Sequence, residues 1–306
     1  MEAGARTHAH TPAAAPARRR SDLRQIVSDY VDMTKPKVQS LLLFTTVTTM
    51  YVAGTPSLGL VLLTCLGGAL ASGGAGAINH FLDRDIDARM TRTANRPVPS
   101  GRVSPRAALI YGIVLGVCSF ALLATTVNVL AAALALSGLL GYVLVYTLWL
   151  KRRTPQNIVI GGAAGAVPPL VAWAAVTGGL DGTALYLFAI VFYWTPPHFW
   201  ALSLLMKDEY ARAGVPMLPV VRGEAETRWQ ILLYTILLVA VTLLPFAFGV
   251  FGSLYLVAAL LLGTAFTLMA MRLHRDADRR TALKLYLFSL AYLALLFAAM
   301  VADARL

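Results

Sequence analysis

The residue types best suited to chemistry lie together in the segment NHFLDRDIDAR, which covers residues 79–89. Asn79, Asp83 and Asp87 follow one another at intervals of four residues. On an α-helix each such step turns the chain by about 400° and advances it by about 6 Å, so the three side chains share one face. One amide and two carboxylates are hard oxygen ligands, which suit Mg²⁺ better than zinc. The spacing predicts a magnesium site that also binds substrate phosphates.

A solvated helix end with paired charges would explain the same acids without a ligand. Asp85 is expected to behave in this way, because on a helix it points about 160° away from Asp87 and can pair with a nearby arginine. The small residues at 71–77 (ASGGAGA) come just before the acids. Small residues let helices approach closely or leave room for a ligand, and they therefore favour the metal site.

Basic side chains follow the acids in the next two polar connections. Arg92 and Arg96 come first, and we predict that they bind phosphate, because a guanidinium group matches phosphate oxygens. Lys151 and Arg152 come later, and Tyr146 precedes Lys151 by five residues. Basic clusters at the ends of apolar segments also mark membrane topology. This second cluster therefore either binds substrate or only marks the cytoplasmic side.

A second acidic group, KDEY at residues 207–210, ends another apolar segment. We predict Asp208 as a further metal ligand, with Glu209 as the alternative. Two acidic clusters with basic neighbours, both at the ends of apolar segments, are typical of a site for a lipid with a diphosphate head.

The apolar segment before this second group contains Pro196 and Pro197 directly before His198. The two prolines are expected to break the helix. His198 either hydrogen-bonds a neighbouring helix or, with Trp194 and Trp200 nearby, contacts a flat aromatic or metalloporphyrin ligand.

Nine apolar segments must position these residues, and each is close to the roughly 20 residues that a membrane-spanning helix needs. We predict an all-α, polytopic membrane protein with about nine transmembrane helices around a cavity. The predicted spans are 38–54, 58–81, 107–125, 127–149, 158–178, 183–206, 230–248, 254–271 and 285–302.

Composition and charge agree with this class. Of the 306 residues 58% are hydrophobic and only 13% are charged, which excludes an ordinary soluble domain, a disordered chain and a nucleic-acid binder. Of the 26 basic residues, 25 fall in the stretch before Val38 or in four long connections that lie on one side of the nine spans. The positive-inside rule makes that side cytoplasmic. We therefore expect the N-terminus and the active site on the cytoplasmic side of a cell (inner) membrane, and the C-terminus outside.

The first 22 residues lack the apolar core of a signal peptide. We predict that residues 1–37 form a flexible basic cytoplasmic tail near anionic headgroups, and that residues 38–306 form a single transmembrane domain.

The segment at 79–105, NHFLDRDIDARMTRTANRPVPSGRVSP, resembles the first aspartate-rich motif of the UbiA-type intramembrane prenyltransferases. Three features resemble the heme-farnesylating branch of that superfamily, the protoheme IX farnesyltransferases. They are MTRTANRP at 90–97, TPQNIVIGGAAGAVPP at 154–169 and PPHFWALSLLMKDEYARAGVPMLPV at 196–220. The nine-span plan covers nearly the whole chain and matches as well.

The resemblance implies transfer of a farnesyl group from farnesyl diphosphate to a vinyl group of heme B, with water addition and release of diphosphate, to give heme O. It implies Mg²⁺ as cofactor, held by the residues that match the first motif, Asn79, Asp83 and Asp87. Asp208 matches the second acidic region, but the usual second DxxxD is missing because Arg212 stands four residues later, and Glu209 or Glu224 would have to substitute. A downstream enzyme that forms heme A is the implied partner.

The chemistry of this reaction gives the remaining candidates their roles. Lys151, with Arg92 and Arg96, would neutralise the diphosphate, aromatic faces such as Trp194 and Trp200 would steady the allylic cation, and His198 would contact heme. Two other functions stay open at this point. One is prenylation of a quinone-precursor ring, and the other is a cation-coupled transporter, whose ionisable residues would lie at mid-bilayer.

Overall fold

In the computed structural model, which describes residues 22–306, the chain is helical with no strand in the described part. The apolar runs lack interior charges and are bounded by Gly, Pro and polar caps, so helices form over nearly their full length. The helices of the first half are α1 Leu23–Met33, α2 Pro36–Ala53, α3 Leu58–Leu82, α4 Arg84–Arg89, α5 Pro105–Thr126, α6 Val129–Leu140 and a π-helix Gly141–Leu150. Those of the second half are α7 Asn157–Gly165, α8 Val167–Thr177, α9 Gly182–Leu205, α10 Lys207–Arg212, α11 Leu218–Val221, α12 Gly223–Ala247, α13 Ser253–Asp276 and α14 Arg279–Asp303.

Seven helical segments of the described chain are long and apolar enough to cross a membrane. They are α3, α5, α6 with the π-helix, α7 with α8, α12, α13 and α14. Long helices also occupy the other two predicted spans, but α2 and α9 fall outside that set. The fold is thus all-α and multi-pass, as predicted, while the count of nine spans stays a prediction.

The long helices close into one bundle. The last helix, α14, packs against both α9 and α2, and α2 packs against α3 and α8. The first and last long helices therefore meet, which leaves the interior of the bundle enclosed by helices from both halves of the chain.

Glycines on α3 allow the close packing that their pattern predicts. A Cβ atom at Gly74 would lie 2.7 Å from the backbone oxygen of Gly112 on α5, and one at Gly76 would lie 2.8 Å from the oxygen of Met33 on α1. Both distances are shorter than real carbon contacts allow, so α1 and α5 touch the backbone of α3 next to the acidic segment.

Two local expectations are wrong. Within the expected flexible tail 1–37, residues 23–33 form the helix α1, in which Asp29 and Met33 are buried, and α2 already begins at Pro36. Residues 1–21 of that prediction lie outside the described part. Pro196 and Pro197 lie within one continuous helix, α9, instead of breaking it. The chain bends elsewhere, at Ala166 between α7 and α8, directly before the Val-Pro-Pro sequence of α8.

Candidate active site

The acidic segment lies at the junction of α3 and α4. Helix α3 ends at Leu82, Asp83 adopts φ −94° and ψ 8°, and α4 starts at Arg84. The backbone N–H of Asp83 still donates to Asn79 O at 2.8 Å, and that of Asp87 donates to Asp83 O at 2.7 Å. Because the four-residue bonds continue through the junction, Asn79, Asp83 and Asp87 stay close, and all three are buried.

Asn79 and Asp83 contact each other directly. The amide Nδ2 of Asn79 donates to Asp83 Oδ2 at 2.7 Å. The other carboxylate oxygen, Asp83 Oδ1, is buried and has no hydrogen-bond partner among the described residues. Buried carboxylate oxygens nearly always have a hydrogen-bond partner. The missing partner of Asp83 Oδ1 therefore leaves this oxygen available to a ligand.

The oxygen donors fit a hard divalent cation that a substrate phosphate helps to hold. Asp83 and Asp87 supply carboxylates, and Asn79 supplies an amide oxygen. No group of three or more His, Cys, Asp or Glu side chains within residues 22–306 could hold a metal alone. Mg²⁺ commonly takes one or two carboxylates plus substrate phosphates, so the sparse ligand set agrees with that metal.

Three cations reach these residues, two of them from distant parts of the chain. The ammonium of Lys151 contacts Asp83 Oδ2, and Nη1 of Arg96 donates to both carboxylate oxygens of Asp87, at 2.9 and 2.7 Å. The ammonium of Lys35 donates to Asn79 Oδ1 at 2.7 Å. Lys35 has φ 57°, an uncommon left-handed conformation for a residue other than glycine, and such strain is concentrated at functional sites.

The buried cluster carries more positive than negative charge. Two carboxylates, Asp83 and Asp87, face three cations, Lys35, Arg96 and Lys151. Burial, together with the charges of Arg96 and Lys151, lowers the pKa of Lys35 to about 7. An arriving anion would offset this repulsion between like charges, so the cluster favours an anionic ligand.

The π-helix Gly141–Leu150 brings two tyrosines and a threonine to the same place. The hydroxyl of Thr147 accepts a hydrogen bond from Asn79 Nδ2 at 3.2 Å, and Lys35 Nζ lies 3.4 Å from the hydroxyl of Tyr142. The rings of Tyr142 and Tyr146 lie 5.3 Å apart. The backbone N–H of Lys151 donates to Tyr146 O, five residues earlier. Such π-helical turns are rare and are often found at functional sites.

Glu209 of the second acidic group contacts the connection that follows the first acidic segment. Its Oε2 lies 3.4 Å from the backbone N of Arg92 and accepts its hydrogen bond. Tyr210, the next residue, is buried, and burial raises its pKa while the charges of Arg92 and Arg96 act against that rise. Helix α10 therefore packs against the connection that follows the first aspartates.

Asp208 lies elsewhere. It is exposed and lines a separate cavity of about 190 Å³ together with Lys207, Glu224 and Arg228. Glu224 is itself paired there, with its Oε1 2.9 Å from Lys207 Nζ. None of Asn79, Asp83 and Asp87 lines that cavity, so the structure does not bring Asp208 to the first acidic segment.

Asp85 points away from the cluster, as predicted, and pairs with Arg152. The guanidinium of Arg152 donates to both oxygens of Asp85, at 2.7 and 2.8 Å. This hydrogen bonding lowers the pKa of Asp85 to about 2. Arg152 also lies 3.7 Å from Asp83 Oδ1, so it borders the candidate metal ligands as well.

Two cavities adjoin the charged cluster. One of about 430 Å³ is strongly basic and is lined by Lys35, His80, Arg92, Arg96 and Arg102. The other, of about 130 Å³, is almost wholly apolar and has Tyr142 in its wall. Helices α2, α3, α6, α7 and α8 enclose this second cavity, and its apolar lining includes Leu42, Leu43, Ala71, Ala135, Leu139, Pro168 and Val171.

The aromatic residues of α9 form contacts of their own. Trp200 is 1% exposed and packs edge-on against Tyr234 of α12, with ring centroids 5.2 Å apart. Trp194 is buried, and its indole nitrogen donates to the backbone oxygen of Ser289 on α14 at 2.7 Å. His198 lies between α9 and α14 rather than in the charged cluster. Trp200 therefore belongs to the packing core. His198 makes a polar contact with Ser289 inside the bundle, away from the charged cluster.

Sequence reasoning missed Lys35, Tyr142, Thr147 and Tyr210. Each lies in a different segment from the aspartates, and only the folded bundle joins them. Lys35 stands out in the sequence only as the last basic residue but one before the first long apolar segment, which does not connect it to the aspartates. Tyr142 and Thr147 do not stand out within their apolar span.

Fold and site together define a multi-pass membrane protein. Its buried acidic residues are surrounded by a surplus of cations that favours an anionic ligand, and an apolar cavity lies beside them. The chain belongs to the UbiA prenyltransferase family, whose sequence profile matches residues 41–296.

Its similarity to curated relatives is more specific. The chain is 58% identical to the protoheme IX farnesyltransferase of Chloroflexus aurantiacus over 282 residues, which are 92% of this chain and 48% of that protein. It is 53% identical to that of Symbiobacterium thermophilum over 293 residues, 94% of this chain and 98% of that protein. The chain thus spans about half the length of several relatives that it matches and nearly all of others.

Solved structures share the fold. A digeranylgeranylglyceryl phosphate synthase structure superposes with a TM-score of 0.75 at 18% identity, covering 92% of this chain and 99% of that one. A UbiA homologue from Archaeoglobus fulgidus, bound to DMAPP and Mg²⁺, gives a TM-score of 0.63 at 17% identity, covering 89% and 99%.

Proposed function

We propose that the chain transfers a farnesyl group from farnesyl diphosphate to a vinyl group of heme B. The terminal vinyl carbon forms the new bond to the farnesyl C1, the C1–oxygen bond to diphosphate breaks, and water adds at the other vinyl carbon with loss of a proton. The products are heme O and diphosphate. The observation that carries this proposal is the buried cluster of Asn79, Asp83 and Asp87, which adjoins an apolar cavity through Tyr142.

The charged cluster would bind the diphosphate. Asn79, Asp83 and Asp87 would hold Mg²⁺, which neutralises charge on a leaving diphosphate when it is bound. The ammonium groups of Lys35 and Lys151 lie against these ligands and can move to phosphate oxygens as the diphosphate arrives. Arg92 and Arg96 line the adjoining basic cavity and supply further donors to phosphate.

The apolar cavity would hold the prenyl chain. Its walls carry almost no polar surface, so the transfer of an apolar farnesyl tail from water into this cavity is favourable. Tyr142 lines this cavity and lies 3.4 Å from Lys35, and the ring of Tyr146 lies next to that of Tyr142. Their rings would face the allylic carbon as charge develops on it, which is the place where an aromatic face stabilises a cation.

The acceptor follows from the relatives. Proteins 51–58% identical to this chain bear the name protoheme IX farnesyltransferase, and a fold relative binds DMAPP with Mg²⁺. These names support heme as acceptor and a prenyl diphosphate as donor. We further propose that heme O passes to a heme A-forming enzyme.

We also infer the orientation in a cell (inner) membrane. Lys35 and the acidic cluster lie at one end of α2, whereas Arg305 donates to the backbone oxygens of Tyr51 and Gly54 at its other end. Among the described residues, the cations that contact the acidic cluster, Lys35, Arg96 and Lys151, therefore lie at the end opposite Arg305. The positive-inside rule places that end, with the N-terminus, in the cytoplasm.

Product analysis tests the proposal. Membranes that contain the chain are incubated with farnesyl diphosphate, Mg²⁺ and either heme B or 4-hydroxybenzoate, and extracts are examined by mass spectrometry. We expect a heme whose mass has gained a farnesyl group and the elements of water. Prenylated 4-hydroxybenzoate, with no change in heme, would contradict the proposal, as would unchanged substrates in both reactions.

A further inference from the structure

The imidazole of His198 on α9 is held from several sides. Its Nδ1 lies 2.7 Å from the hydroxyl oxygen of Ser289 on α14. The ring stacks on Trp194 with centroids 4.3 Å apart and on Tyr286 with centroids 4.8 Å apart. Trp194 is itself bonded to the backbone oxygen of Ser289. One residue of α14 therefore anchors both the imidazole and an aromatic ring that stacks on it.

The protons of this arrangement can be assigned. Ser289 Oγ lies 2.6 Å from the backbone oxygen of Tyr286, and two oxygens approach that closely only with a hydrogen between them. A hydroxyl has one hydrogen, so Ser289 donates to Tyr286 O and can only accept from His198. The neutral imidazole must then carry its hydrogen on Nδ1, and Nε2 keeps a lone pair.

That lone pair is unused. Nε2 of His198 has no hydrogen-bond partner among residues 22–306, and the side chain is only partly buried. Trp194 and Tyr286 already cover the ring faces. A flat ligand therefore cannot stack on this histidine and must meet it at the Nε2 edge, which is the geometry of a metal–imidazole bond.

Metal-binding histidines usually donate their second ring N–H to a fixed acceptor, which sets the tautomer and the ring orientation. Ser289 provides such an acceptor. We propose that Nε2 of His198 is an axial ligand to the iron of the heme substrate, and that Ser289 is the positioning residue that sets its tautomer. The proposal rests on the proposed function, which supplies heme as the acceptor.

A heme titration of the purified full-length chain tests it without turnover. Ferric heme is added in detergent micelles, without prenyl diphosphate, and the Soret band and resonance Raman spectrum are recorded. We expect a histidine-ligated spectrum for the wild type, its loss in His198→Ala, and its return when imidazole is added to that variant. Ser289→Ala is expected to bind heme about tenfold more weakly, with an altered iron–histidine band.

Two further variants separate positioning from stability. Ser203→Ala removes a different buried serine, on α9, whose hydroxyl donates to a carbonyl oxygen three residues earlier, at 2.8 Å. Ser203 does not contact His198, so this variant should keep the wild-type spectrum. Ser289→Thr keeps the hydroxyl and should restore the iron–histidine band.

The outcomes are distinguishable. If the chain makes heme O and His198→Ala keeps the wild-type heme spectrum, the ligand assignment is overturned and the proposed function stands. If Ser289→Ala keeps both the affinity and the band, the role of Ser289 is overturned. A wild-type chain that binds no heme and prenylates 4-hydroxybenzoate overturns the proposed function and the ligand assignment together.

Discussion

The ammonium of Lys35 donates a hydrogen bond to Asn79 Oδ1 at 2.7 Å, across 44 residues of sequence. The contact joins the connection before α2 to the last turn of α3. It also places a positive charge among the candidate metal ligands, where no sequence motif indicates one. The first prediction concerns this residue.

Replacing Lys35 by Met should lower kcat/KM for farnesyl diphosphate by about 100-fold, because a preorganised donor to the leaving group is lost. Lys284→Met is the matched control, since Lys284 is exposed near the start of α14, and it should keep wild-type kinetics. Steady-state rates of diphosphate release measure both. Equal rates for the two variants would show that Lys35 has no part in the reaction.

Asp83→Asn and Asp87→Asn should each lower kcat by about 10²–10³-fold, as expected when charge stabilisation of the transition state is removed. Asp85→Asn provides the comparison within the same segment, because Asp85 is exposed and paired with Arg152. Exposed ion pairs contribute about 0–1 kcal/mol, so this variant should keep most activity and stability. Comparable losses in all three variants would mean that the segment is only a charged helix end.

The spacing of the acids predicts much of this centre, and the reason is local geometry. Four-residue intervals bring Asn79 to Asp83 on a helix, and the structure confirms that contact. Lys35 and Tyr210 could not be predicted, because they reach the acids through tertiary packing across many residues. The π-helix was also beyond prediction, since nothing in GYVLVYTLWL separates it from an ordinary apolar helix.

In the fold, too, local features could be predicted from the sequence, whereas features that depend on tertiary packing could not. Apolar length predicts the long helices, because every backbone group in a bilayer needs an internal partner. Proline was an uneven guide, because α9 continues through Pro196 and Pro197, whereas the chain bends at Ala166, directly before the Val-Pro-Pro sequence of α8. Whether a helix bends at a pair of prolines depends on the neighbouring helices, which a single sequence does not contain.

Glu209, rather than Asp208, should be the acid of the second group that supports the reaction. Glu209 accepts from the backbone of Arg92, and Asp208 lines a separate cavity. We expect Glu209→Gln to raise KM for farnesyl diphosphate about tenfold and Asp208→Asn to have a clearly smaller effect. Glu226→Gln, which changes an exposed acid of α12, is the control. The reverse order of the first two variants would restore the assignment made from sequence.

Removing divalent metal should abolish prenyl transfer. Treatment with EDTA followed by desalting is expected to stop diphosphate release, and added Mg²⁺ should restore it. Ca²⁺ should restore it poorly, since its longer bonds and higher coordination number suit a site with more oxygen ligands. Asp83→Asn should need more Mg²⁺ for half-maximal rate. Turnover that survives EDTA would exclude a magnesium-dependent mechanism.

A single methyl group next to the π-helix should disturb the site through packing. A Cβ atom at Gly161 would lie 2.4 Å from the ring of Tyr146, whereas one at Gly165, a turn later in α7, would meet nothing within 4 Å. Overpacking of this kind costs about 1–3 kcal/mol, and the ring of Tyr146 must also move. We therefore expect Gly161→Ala to lower the melting temperature in detergent and to reduce kcat, while Gly165→Ala keeps the wild-type melting temperature. Equal melting curves for the two variants would mean that α7 can shift away from the π-helix without loss of stability. The position of Tyr146 would then not depend on Gly161.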